Sequence, residues 1–180
     1  MRTKSRATSG TTMALLLALV GAACSVEEKG AAAGTAGGSQ KSDAPAPFDA
    51  LALASEPAGA KPLGEVIAAQ QGSGPVVARG RVGEDGGGSS WFTLVDPSLK
   101  DCIQIGDECK TPWDYCCTPN DVKKQQMANV ELRVAGELVE HAVLGWRGLD
   151  HLKDVVVAGQ ATKDSAGNVT IVATGIWVKP

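Results

Sequence analysis

Apolar and polar positions alternate in several short runs of the chain, and each run has the period of a strand. Along Val76–Val82 (VVARGRV), Val76, Ala78, Gly80 and Val82 share one side, and Arg79 and Arg81 point to the other. Trp91–Val95 (WFTLV) is a second strand, separated from the first by the loop sequence GEDGGGSS and stopped by Asp96-Pro97. Val130–Val134 (VELRV) alternates again, with Val130, Leu132 and Val134 against Glu131 and Arg133. Asp154–Gly159 (DVVVAG) reads as a buried fourth strand, and Val169–Val178 (VTIVATGIWV) as a long fifth one after the turn Asp164–Asn168. Two helical signals interrupt the strands. Pro62–Gln70 places Pro62 at a first turn and Leu63, Val66 and Ile67 on one side, and Trp146–Leu152 has room for a helical turn.

The order is a helix, then three strands, a short helical link and two more strands. This is the order of an OB-fold barrel, and VVARGRVG followed by WFTLVDPS resembles the first hairpin of such domains. The segment GLDHLKDVVVAG with its turn and final strand resembles the second half, so the resemblance runs over about residues 75 to 178. Gly80 falls where such barrels bend their first strand. The expected fold is therefore all-β: a five-stranded OB-fold-like barrel with a short N-terminal helix and a cysteine-rich insert between strands 2 and 3. The insert is similar to a C…C-T-P-W-D-Y-C-C signature of secreted bacterial OB-like proteins, a family with no assigned reaction to carry over.

The N-terminal end has a different pattern. Arg2, Lys4 and Arg6 precede the apolar run Met13–Val20, then Gly21-Ala22-Ala23 and Cys24. Basic, apolar and small residues in that order form a secretory signal over 1–23. The apolar run is shorter than the roughly 20 residues a spanning helix needs. Cys24 directly after the small residues resembles a bacterial lipobox, with Gly21 where Leu or Val is usual and Val20 beside it. That resemblance implies lipidation at Cys24 and a membrane anchor, with the protein in the periplasm or on the cell surface. Residues 24–60 are rich in Ala, Gly, Ser and Pro and read as a flexible tether. The domain is expected over 61–180.

Charge narrows the partners. The chain has 17 basic and 20 acidic residues, and removing Arg2, Lys4 and Arg6 with the signal leaves 14 against 20, a net of −6. Proteins that coat nucleic acid carry a basic footprint instead. Arg79, Arg81, Trp91 and Arg133 would still suit an OB-type face for single strands, so nucleic acid stays as a second reading. The first is a non-enzymatic binding module for a protein, saccharide or small ligand. No G-x-S-x-G, H-E-x-x-H or P-loop motif occurs, and neither of the two histidines, His141 and His151, lies in a catalytic pattern.

The insert concentrates the remaining chemistry. Cys102, Cys109, Cys116 and Cys117 are four of the five cysteines, spaced six residues, six residues and none. In an oxidising compartment an even number points to disulfide staples. Adjacent residues in extended chain face opposite ways, which leaves 102–116 with 109–117, or 102–117 with 109–116. Each bridge would contribute about 3 kcal/mol by loop entropy. Four thiolates so close also make a tetrahedral zinc site, or a site for copper or iron–sulfur chemistry. A reducible vicinal Cys116–Cys117 pair is a third possibility. No cofactor is required by the first reading, and a thiophilic metal by the second. Trp113 and Tyr115 stand between the cysteines as contact anchors for a ligand, or as covers for the cluster.

Overall fold

The computed structural model describes residues 46–180, and the expected signal, Cys24 and most of the expected tether lie outside them. Six strands form one sheet: β1 (Lys61–Pro62), β2 (Ser73–Asp85), β3 (Trp91–Val95), β4 (Met127–Glu131), β5 (Asp154–Lys163) and β6 (Val169–Val178). The neighbours run β1-β2-β3-β4-β6-β5, and β5 pairs back with β2, so β2, β3, β4, β6 and β5 close a five-stranded barrel. All pairs within the ring are antiparallel except β4 with β6, which is parallel. The OB-like order read from the alternation is thus present.

Closure depends on β2 serving two partners. Its first part pairs with β5 from Ser73 opposite Thr162 to Arg81 opposite Asp154. Its last part pairs with β3, from Arg81 opposite Val95 to Asp85 opposite Phe92, with a register shift after Val82. Gly80 sits at the bend, as expected. A Cβ there would lie 2.6 Å from the Val95 carbonyl oxygen, so only glycine admits this approach.

Inward positions of all five barrel strands meet in one core, including Ala78, Val82, Phe92, Leu94, Val130, Val157 and Ile171. Helix α1 (Leu63–Ala69) adds Leu63, Val66 and Ile67 to it. The linker between β4 and β5 carries a 3-10 turn at Trp146–Gly148 and contributes Val143, Trp146 and Leu149.

Four boundaries differ from expectation. The third barrel strand begins three residues early and ends at Glu131, because Val134 turns away to bridge Glu137 around Ala135 and Gly136, both at positive φ. The first strand runs through Glu84 and Asp85, since the shift in register lets the ladder continue past Gly83. The fourth continues to Lys163, its polar end still paired with β6. A second helix, α2 (Asn120–Gln126), leads into β4, and none of its residues is buried.

The domain also begins before Lys61. Phe48 is 1 % exposed and meets Trp146 edge-to-face, with ring centroids 5.2 Å apart. The Trp146 indole N–H donates to Asp49 at 2.7 Å, and Leu53 N–H donates to the Ile176 carbonyl at 2.9 Å. One phenylalanine in an Ala- and Pro-rich stretch, with two anchoring hydrogen bonds, is enough to dock residues 48–53 that composition alone assigns to the tether.

Candidate functional site

Asp96 starts the insert. One carboxylate oxygen accepts from the Ser98 N–H at 2.8 Å and hydroxyl at 2.6 Å, turning the chain, and the other accepts from Gly64 N–H of α1 at 2.6 Å. The insert then folds back over β2. Arg81 donates to the Leu99 carbonyl and to Asp101 at 3.3 Å, with both charged side chains almost fully buried. The Asp101 carboxylate also accepts from the Gln104 backbone N–H at 3.0 Å, while the Gln104 side-chain oxygen Oε1 accepts from the Asp101 backbone N–H at 3.1 Å. This reciprocal pair shapes the turn that carries Cys102, which is buried.

The second half of the insert is a 3-10 turn, Pro112–Asp114. The Thr111 hydroxyl donates to one Asp114 oxygen at 2.7 Å and Cys116 N–H donates to the other at 2.8 Å. Between them Tyr115 adopts φ +49°, a conformation rare for a residue with a side chain. That reversal sends the Tyr115 ring fully inside and turns Cys116 back towards Cys109. The Tyr115 hydroxyl is buried with no hydrogen-bond partner, and burial pushes the phenol above its ordinary range.

The four sulfurs converge. Cys116 Sγ lies 3.6 Å from Cys109, 3.7 Å from Cys117 and 3.9 Å from Cys102. None is at bonding distance, and all four are free thiols, so neither expected disulfide pairing is formed. Cys102, Cys109, Cys116 and the Asp114 carboxylate have donor atoms within 4.8 Å of one another, and Cys102, Asp107 and Cys117 form a second such group. The thiols are not equivalent. The Thr111 backbone N–H holds Cys109 below the ordinary thiol range. Cys116 is raised, first by its hydrogen bond with Cys109. Cys117 donates to Asp107 at 2.7 Å, which pushes it up to about 11.

Arg79, Arg81 and Trp91 lie on outward positions of the neighbouring strands β2 and β3, but they do not gather into one site. Trp113 stacks on His151 at 4.2 Å with planes 6° apart, and His151 Nε2 lies 3.4 Å from an Asp85 oxygen. Gly83 makes room for this docking, since a Cβ there would meet the Trp113 carbonyl at 3.2 Å. Arg79 pairs with Glu56 at 2.5 Å, and Arg133 with Glu131 at 2.6 Å. Trp91 packs its indole over Gly86 at the opposite end of β3 from the Arg81 partner Val95. Arg81 itself is taken up by the insert. His141 meets Phe48 edge-to-face at 5.3 Å.

Sequence reasoning missed Asp101, Gln104, Thr111 and Asp107, whose roles depend on how the insert folds. It also missed an open cleft of about 790 Å³ between α1 and α2, lined by Asp96, Lys124, Gln126 and Lys163. No helix among the described residues is long and apolar enough to cross a membrane. No known family model matches the chain, and no curated protein matches it.

Proposed function

We propose that this chain is a non-enzymatic binding module, carried outside the cytoplasmic membrane on a lipid at Cys24, and that it takes its ligand at the insert rather than across the barrel strands. The observation that carries this reading is the seating of the insert on β2. Arg81, the arginine best placed to serve a strand face, is consumed by Leu99 and Asp101, and Trp113 is stacked on His151. Arg79 and Arg133 are each held by a neighbouring glutamate. Chemical donors instead gather on the insert, where Cys109, Cys116 and Cys117 reach the surface. Both histidines lean on aromatic rings, which suits a binding role better than proton transfer.

The test has two arms. Cells fed labelled palmitate should label the full chain in the membrane fraction, and Cys24→Ala should abolish the label and release the chain. A labelled Cys24→Ala chain would overturn the anchor. Fluorescence anisotropy with a single-stranded oligonucleotide should show no binding at low micromolar protein. A salt-sensitive rise would instead favour the nucleic-acid reading.

A further inference from the structure

Three features of the described residues stand out beyond this reading: the sulfur cluster, the cleft between α1 and α2, and the stacked Trp113–His151–Asp85 set. The cleft is open and mixed in charge, with Asp96 already bonded to Gly64 and Ser98. The stack packs His151 on an indole, and its Nε2 lies 3.4 Å from an Asp85 oxygen without a hydrogen bond, which names no ligand. The sulfur cluster goes furthest.

We infer that Cys102, Cys109, Cys116 and Asp114 form a tetrahedral site for a thiophilic divalent ion of the zinc type. This deepens the binding-module reading by naming its ligand class, and rests on the insert being the binding element. A tetrahedral ion with metal–sulfur bonds of about 2.3 Å separates its sulfurs by about 3.8 Å. Cys116 stands 3.9 Å from Cys102 and 3.6 Å from Cys109, on either side of that value. The Asp114 carboxylate lies within 4.8 Å of all three, closing the set. Cys116 thus lies at nearly the same distance from both other sulfurs of the set. Donors around one shared centre have that arrangement, whereas two bonded pairs would be drawn together in twos.

The surroundings orient the donors as outer partners of a metal site do. Thr111 and the Cys116 N–H fix both oxygens of Asp114. The Thr111 hydroxyl oxygen also lies 3.8 Å from the Cys109 sulfur. Cys102 is fixed by the turn that Asp101 and Gln104 build, itself bolted to Arg81. Lys123 reaches the Asp114 carbonyl at 3.4 Å and supplies positive charge beside the donors. Three sulfurs and one carboxylate oxygen select zinc-type ions over magnesium or calcium, which take oxygen donors. Cys117 faces Asp107 and is left outside the set.

The full chain, solubilised in detergent, reduced and kept free of oxygen, should be titrated with cobalt(II). One equivalent should give an intense thiolate-to-cobalt charge-transfer band, zinc should bleach it, and zinc should raise the thermal midpoint of the insert. Cys109→Ser should weaken zinc by more than about 100-fold, the upper end of what losing an outer partner costs. Asp114→Asn should weaken it by at least about tenfold. Cys117→Ser should leave affinity within about threefold, a small fraction of those losses. Reactive thiols at Cys102, Cys109, Cys116 and Cys117 with no charge-transfer band at stoichiometric cobalt would overturn the site, without touching the palmitate and oligonucleotide results. Equal losses from Cys117→Ser and Cys109→Ser would overturn the donor set.

Discussion

Tyr115 shows how a single residue can be both anchor and liability. Its ring is the largest side chain fully buried, yet its hydroxyl finds no partner. An unpaired buried hydroxyl costs about 1–3 kcal/mol. Tyr115→Phe should therefore stabilise the domain by about 1 kcal/mol at neutral pH, measured by urea denaturation. The same residue sets an alkaline limit. Burial keeps the folded phenol protonated when the unfolded chain has begun to ionise, near pH 10. Above that pH the unfolded state holds fewer protons, so stability falls as pH rises until the folded phenol ionises too. Tyr115 is the only tyrosine, so tyrosinate absorbance should appear together with unfolding, and Tyr115→Phe should remove that part of the pH dependence. At this scale the four cysteines were legible, because residue type and spacing carry that information. Their free, converging state was not, because it depends on the positive φ of Tyr115 and on contacts with β2.

Among the elements, the insert owes its seat to a buried ion pair. Removing one partner of such a pair leaves the other charge uncompensated, at a cost of about 3–5 kcal/mol. Arg81→Ala should thus free the insert: limited proteolysis should cut between Leu99 and Thr118 while the barrel strands stay protected. Protection unchanged from the native chain would mean that Trp113 on His151 holds the insert alone. Phe48→Ala makes the corresponding test of the N-terminal segment, with an expected loss of about 3–5 kcal/mol in stability. A tether would lose nothing. The five barrel strands were legible because each alternates or forms an apolar run. Helix α2 was not, since NDVKKQQ has no apolar stripe and buries no residue. Residues 48–53 were missed for a related reason: a single large apolar side chain makes no periodic signal.

For the whole molecule, topology followed from element order once closure was assumed, because hairpin-connected strands and one parallel return admit few barrels. Function was less legible. Composition bears on the partner, through an acidic balance, but the pairing of Arg79 with Glu56 and of Arg81 with Asp101, which supports the proposed reading, emerges only when the fold brings these residues together from 20 or more positions apart. A closed barrel with an external insert also separates the two loads on the sequence. Core positions hold the strands, and the insert can change its donors without disturbing them. Cys109→Ser and Cys117→Ser should both leave the far-ultraviolet circular dichroism of the barrel unchanged.

The long strands β2 and β6 outrun their short neighbours β3 and β4. Past those neighbours each would offer bare backbone donors and acceptors to any extended chain nearby. The segment before α1 lies along both gaps: Ala52 bridges Ile176 of β6, and Lys61 and Pro62 run parallel to Ala78 and Arg79 of β2. Pro62 has no N–H of its own to offer outward. Among the described residues, little edge is therefore left for strand addition, by a peptide or by another copy of the chain. Under the proposed lipid anchor, which would crowd copies on one surface, this would protect against sticking between neighbours.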